Sequence, residues 1–410
     1  MKKQVWIFAA TLLVAQAALA DGIFAPLAAK SATDAARAVD PTFRSLADSP
    51  ATASLELVSA NAAAIAESAL SLDLNLSAEL QLRAYQTHFE VSKTGTQIWM
   101  GVIADPNSAI GPVSPDTLQF DPMNRVSLAR NGELVTGNIF FGGEWYKVRP
   151  LRSGGHAIVR VDYAGMPPEH PAEFAKLPRI QMPQAPPSLL VNTTIRVLVN
   201  YTPAAAAAVA DINGMIDLAV AETNQGYASS GVQITMQLAN KSQTVYSESS
   251  FSTDLSRYRS TTDKYMKEIH TTRDANAADV ALLVINNASS CGLASGIGST
   301  AATAFATAHW DCITGYYSFG HEIGHLQSAR HDPDTDGTST PYAWGHGYRY
   351  TSGSPTWRTI MSYNCTPSCP RINFWSNPLV TYNGVPMGTA TLNDNARVLN
   401  TTRDTVAAFR

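Results

Sequence analysis

The sequence predicts an α/β (α+β) domain on a twisted mixed sheet, preceded by a separate β-rich region. Three observations carry this. From Thr194 onward, strand-like and helix-like runs alternate, as βαβ units do. Between Gln97 and Val161, strand-like runs follow one another with no helical run between them. The two regions are separated by a stretch holding Pro167, Pro168, Pro171, Pro178, Pro183, Pro186 and Pro187. Such a stretch resists helix and sheet pairing and is expected to stay exposed.

Taken in order, the chain opens with basic Met1-Lys2-Lys3, an apolar run from Val5 to Ala18, and Ala18-Leu19-Ala20. These are the parts of a signal peptide cut after Ala20, and the run is too short for a membrane anchor. Residues 21–60 are rich in Ala and Ser and read as loose helix and coil. From about Leu76 the pattern turns β-rich. Gln97–Ile103, Asn138–Phe141 and His156–Val161 read as strands, and the pairs Gly142-Gly143 and Gly154-Gly155 as turns. Beyond the proline-rich stretch, Thr194–Tyr201, Val232–Leu238 and Asp279–Ile285 are strand runs, and Ala304–His309 reads as a short edge strand. Pro203–Ala228 reads as one helix with an Ile212, Ile216, Val220 stripe, and Leu255–His270 as a second, more polar one. The expected organisation is signal peptide 1–20, pro-region 21–165, linker 166–193 and main domain 194–410.

Composition narrows the function. The 410 residues carry a net charge of −4, only 15% are charged, and no basic stripe is present. Nucleic acid and anionic membrane are therefore not expected partners. A hydrophobic content of 45% excludes a disordered scaffold. The four cysteines Cys291, Cys312, Cys365 and Cys369 all lie in the main domain. An even count in an exported chain points to two disulfides. Three pairings are open, and the local ones, Cys291–Cys312 and Cys365–Cys369, are favoured over a thiolate zinc site.

Residues 321–331 read His-Glu-Ile-Gly-His-Leu-Gln-Ser-Ala-Arg-His. His321 and His325 share one face of a helix, while Phe319, Ile323, Leu326 and Ala329 face the core. On a straight helix His331 would lie roughly 9 Å further along the axis, so the helix must stop near Ser328 and turn back. Three histidines then hold one zinc ion and leave a position open for water, the arrangement of a catalytic site. Glu322 is placed to take a proton from that water and pass it to a leaving amine. The alternative is a zinc-binding surface or adhesion protein without turnover. The retained Glu322 and the open position argue against it.

Downstream, Thr359-Ile360-Met361-Ser362-Tyr363 follows the third histidine. His-Glu-x-x-His-x-x-x-x-x-His followed by such a methionine turn resembles the metzincin class of zinc metalloendopeptidases. The blocks Gly345–Arg349, Trp357–Met361, Phe374–Pro378 and Tyr382–Gly388 narrow the resemblance to the bacterial, reprolysin-like peptidyl-Asp metalloendopeptidases, over roughly residues 194–410. The resemblance implies a secreted zinc endopeptidase cutting on the N-terminal side of aspartate, with Met361 as an apolar floor under the histidines. It implies that the Tyr363 hydroxyl stabilises the oxyanion. Asp332 is expected to orient His331 or anchor the methionine turn. Most metzincins carry glycine where this chain has Ser328, a departure that costs about 1 kcal/mol in a left-handed turn.

Aspartate specificity needs a cation. Arg371 is the first candidate to fork onto the substrate carboxylate, with Arg349 second. Asp332, Asp334, Asp336 and Gly337 mimic half an EF-hand loop, but Ala343 stands where the bidentate Glu belongs, so calcium is only weakly indicated. His309 and His346 are candidates for the cleft rim. Residues 21–190 contain no cysteine, which excludes a cysteine switch; the pro-region instead folds over the cleft or serves as a chaperone. The expected product is a zymogen that is secreted or periplasmic, a monomer, with its own pro-region and protein or peptide substrates as partners.

Overall fold

A computed structural model of the chain describes residues 22–27, 39–104, 121–183 and 192–410. The expected signal peptide at 1–20 lies outside the described residues, as do Pro186 and Pro187. Among the described residues, no helix is long and apolar enough to cross a membrane.

The N-terminal part is a nine-stranded antiparallel sheet: β1 (Phe24–Pro26), β2 (Thr52–Ala60), β3 (Ser71–Asn75), β4 (Gln81–Val91), β5 (Gln97–Ile103), β6 (Arg125–Asn131), β7 (Leu134–Phe141), β8 (Glu144–Pro150) and β9 (His156–Val161). The order is β1-β2-β9-β8-β7-β6-β5-β4-β3. The sheet curls until its edges meet, with Ile23 N–H donating to Asp73 O at 2.8 Å. Gly142 and Gly143 both take positive φ, the backbone that a two-residue β7–β8 hairpin demands. The unit is larger than its sequence pattern indicates. Residues 21–60, read as loose helix and coil, contribute helix α1 (Pro41–Ala47) and the nine-residue strand β2.

The second sheet has five strands: β10 (Thr193–Tyr201), β11 (Ile234–Gln243), β12 (Val280–Ile285), β13 (Gly292–Ala294) and β14 (Phe305–His309). The order is β11-β10-β12-β14-β13, parallel except for the antiparallel β13–β14 pair. β14 is thus internal, contrary to the edge position expected of it, and the three-residue β13 forms the edge. The run read as one helix from Pro203 splits into α2 (Pro203–Ala208) and α3 (Ile212–Ser229). Asp211 interrupts it, because its carboxylate caps α3 by accepting from Gly214 N–H at 2.9 Å. The run at Leu255–His270 likewise splits into α4 (Phe251–Arg259) and α5 (Glu268–Ala275). Between them Ser260 Oγ and Asp263 Oδ1 accept from nearby backbone N–H groups, which competes with helix.

Helix α3 packs between the two sheets and is buried on nearly every side. Leu218 and Ala221 meet Ile98, Met100 and Ala129 of the nine-stranded sheet. Its Glu222 carboxylate accepts from Ser127, Asn138, Thr314 and the Gly315 N–H, which replace the water its buried charge loses. Lys147 and Asp311 close the same junction with a buried ion pair at 2.7 Å. Helices α6 (Ser318–Leu326) and α7 (Asn395–Val406) complete the C-terminal part. α6 lies against β13 and β14, where it presents its histidines to the sheet edge.

Candidate active site

Helix α6 ends in a Schellman turn. Ser328 N–H donates to His325 O at 2.9 Å and Ala329 N–H to Gly324 O at 2.9 Å. Ser328 carries φ +77°, the left-handed conformation that the sequence demands of it. The chain reverses there and brings His331 back to the helix. The Nε2 atoms of His321 and His325 are 3.1 Å apart, and that of His331 lies 3.2 Å and 3.0 Å from them.

A fourth histidine completes the cluster, and the sequence did not point to it. His170, from the proline-rich stretch, places its Nε2 3.1 Å from His321, 3.3 Å from His325 and 2.9 Å from His331. Nδ1–H groups donate to Ile360 O from His321, to Ala329 O from His325 and to Gly292 O from His170, each at 2.9 Å. These three Nε2 atoms are then bare, and their lone pairs converge. Burial pushes the pKa of His321, His325 and His331 well below the ordinary value and that of His170 down to about 4. Neutral imidazoles with converging lone pairs repel unless a cation lies among them. The four nitrogens form a nearly regular tetrahedron with its centre about 1.9 Å from each corner, close to the ~2.0–2.1 Å of an imidazole–metal bond. The residues fit a metal ion.

Glu322 is buried beside this cluster, 1% exposed. Its Oε1 is 3.5 Å from His170 Nδ1, and its Oε2 has no hydrogen-bond partner. Burial, with Glu169 nearby, raises its pKa well above the carboxylate range against the pull of Arg371. Gly292 of β13 permits this approach: a Cβ there would run into Glu322 Oε1. Met361 is fully buried under α6. A Cβ on Gly324 would sit 3.3 Å from its Sδ and 2.6 Å from Trp375. The Tyr363 ring lies 4.6 Å from the His331 ring, and burial raises its phenol pKa. Asp332 does not bond His331, whose Nδ1 has no partner. Instead it accepts from Tyr363 N–H at 3.0 Å and pairs with Arg349 at 3.0 Å, which ties the residues after Met361 to the segment after His331.

The two arginine candidates separate. Arg371 is buried, and its Nη2 pairs with Glu169 Oε1. Arg349 is spent on Asp332, Asp334 and Tyr363 O. A residue not singled out, Arg358, joins Arg371. Its Nη1 is 3.2 Å from Glu169 Oε1, and Tyr316 Oη donates to the same oxygen at 2.9 Å. The signal for Arg358 was its position directly before the methionine turn. The calcium reading finds no support in the acidic loop, whose carboxylates face arginines: Asp332 and Asp334 face Arg349, and Asp336 faces Arg330 and Arg179. His346 is buried and its Nδ1–H donates to His331 O at 2.7 Å, and His309 is buried against Trp310; neither is one of the four clustered histidines. The cysteines pair as favoured, Cys291–Cys312 and Cys365–Cys369.

The α/β core and the buried histidine cluster beside a carboxylate define a metallopeptidase. Residues 191–376 match the family model described as metallo-peptidase family M12 (Reprolysin_5). Two proteins called peptidyl-Asp metalloendopeptidase, from Stenotrophomonas maltophilia strains K279a and R551-3, are 48% and 49% identical over 408 residues. Each alignment covers 97% of this chain and 96% of the relative. A third of that name, from Xanthomonas campestris pv. campestris, is 48% identical over 94% of this chain and 92% of its own length. The chain belongs to the peptidyl-Asp metalloendopeptidase family and is a metalloendopeptidase.

Proposed function

We propose that the chain is the proenzyme of an exported zinc endopeptidase of metzincin type that cuts peptide bonds on the N-terminal side of aspartate. His321, His325 and His331 hold the zinc in the working enzyme. When bound, zinc supplies a Lewis acid that polarises the peptide carbonyl and acidifies a water molecule. Glu322 moves the protons: its unpartnered Oε2 accepts one from the water and returns it to the amine as the bond breaks. Tyr363 donates to the carbonyl oxygen as it gains charge, and Met361 supports the histidines from below. Residues 1–20 direct export, 21–165 form the pro-region, and 194–410 carry the enzyme.

One observation carries the aspartate reading: a carboxylate already sits between two buried guanidinium groups beside the histidine cluster. Among the described residues, Glu169 is the one acid paired with Arg358 or Arg371. With the stretch that carries Glu169 gone, two cations would be buried without a counter-charge, a costly state that an acidic substrate side chain relieves. Arg371 Nε is buried without an acceptor, so a donor remains for a second carboxylate oxygen. The test maps fragments cut from a mixed peptide library, with and without a chelator. Cuts before aspartate that vanish with chelator are expected. Arg371→Met should lower kcat/KM on aspartyl peptides about a hundredfold while metal content is unchanged. Unaltered aspartate preference in that variant would refute the assignment.

A further inference from the structure

The proline-rich stretch is not the exposed spacer its composition indicates. Met166, Glu169, His170 and Met182 are buried. Its backbone follows the free edge of the five-stranded sheet: Cys291 N–H donates to Pro168 O at 2.8 Å and Gly292 N–H to Glu169 O at 3.0 Å. Farther along, Ile180 N–H donates to Ile297 O at 2.8 Å and Ile297 N–H to Pro178 O at 2.9 Å. A free edge of this kind takes up extended peptides by backbone hydrogen bonds. The stretch therefore lies where a substrate would lie.

We propose that Pro167–Phe174 is an internal inhibitor, with Glu169 in the basic pocket and His170 at the fourth corner of the metal cluster. This rests on the reading of the site given above. His170 takes the position a water needs. Its ring lies between Glu322 and the other three histidines, with Nδ1 3.5 Å from Glu322 Oε1 and Nε2 within 3.3 Å of all three. Phe174 holds that ring in place, stacked at 4.0 Å between centroids, and itself packs on His325 and His331. Glu169 imitates the acidic side chain of a substrate. The bound stretch still resists cleavage. The Pro168 and Glu169 carbonyl oxygens accept from the Cys291 and Gly292 N–H groups, and the imidazole stands beside Glu322 where a water would be needed. Because the inhibitor is part of the chain, its effective concentration is high. Cutting the chain on its C-terminal side turns it into a free peptide that can leave. A cysteine is thus not needed for latency.

The test uses the full chain. In the Glu322→Ala background, which prevents self-cleavage, the protein is loaded with Co2+ and its ligands are counted by X-ray absorption and visible spectroscopy. Four imidazoles are expected, and three after His170→Ala. Separately, with Glu322 intact, the uncut chains bearing His170→Ala or Glu169→Ala should hydrolyse an aspartyl peptide about a hundredfold faster than the uncut parent. Should His170→Ala fail to fold, Glu169→Ala carries the rate comparison and the parent chain the ligand count. Three imidazoles in the parent, or equal and measurable rates for the parent and the variants, overturn the proposal. Four imidazoles falling to three with no hydrolysis of the aspartyl peptide by any variant would leave the inhibitor standing and refute the proposed aspartate specificity instead.

Discussion

Ser328 is the point on which the third histidine turns, and its replacement gives a prediction with a worked magnitude. The residue is fully buried at φ +77°. A side chain in that conformation costs about 1 kcal/mol relative to glycine. Its Oγ is buried without a partner, which adds about 1 kcal/mol or more. Ser328→Gly removes both. Against this, the extra freedom of glycine in the unfolded chain costs roughly 0.5–1 kcal/mol. The net gain is about 1 kcal/mol, or a rise in Tm of about 2 °C for a unit of this size. Ser328→Val must go the other way, by about 2 kcal/mol, because a β-branched residue is a poor fit to left-handed backbone. Both are measured by urea and thermal unfolding in the Glu322→Ala background. A glycine variant no more stable than the parent, or a tolerated valine, would refute the turn as described.

Other predictions rest on separate contacts. Glu322→Gln should keep the fold and bind metal yet lower kcat by 10²-fold or more, about the range set by loss of a general base; near-normal turnover would count against its role. Lys147→Met strands buried Asp311 and should cost about 3 kcal/mol, read from urea midpoints. An unchanged midpoint would mean that the ion pair does not hold the two parts together. Burial tends to raise the pKa of Asp336, but hydrogen bonds from Arg330, Arg179 and Thr338 outweigh it and hold the carboxyl well below its ordinary value. A depressed folded pKa means stability that is present above the unfolded pKa near 4 and lost as pH falls through the folded value. Asp336→Asn should therefore trail the parent at pH 7 and approach it as the pH drops below about 4; a gap constant from pH 7 to pH 3 would contradict this.

The site was legible in the sequence where its parts are local. His321, His325 and His331 lie within eleven positions, and helix geometry alone required a turn at Ser328. Strands β5 and β9 were likewise readable to the residue, since apolar character and turn residues bracket them. What escaped depends on long-range pairing. His170 meets the cluster across a separation of 151 residues from His321, within a stretch whose prolines indicate an exposed spacer. The composition of that stretch fits a segment whose regular structure, among the described residues, is little more than one 3-10 turn at Ala172–Lys176, but it does not fit a segment that stays in solvent. Arg358 stands directly before the methionine turn, but its role emerges only when Glu169 arrives from the same stretch. β14 is short and looked peripheral, because three residues of β13 carry too little pattern to announce a strand outside it. β2 was hidden by an alanine- and serine-rich surrounding and a largely half-exposed face.

The claim beneath all of this is that three histidines on α6 and the following turn hold one catalytic metal ion. The direct measurement is metal content per chain by mass spectrometry, for the Glu322→Ala protein and for the same protein with His325→Ala or His331→Ala. The account predicts one zinc per chain in the first and a large loss in the other two. Full metal content in either histidine variant, or none in the parent, would contradict it.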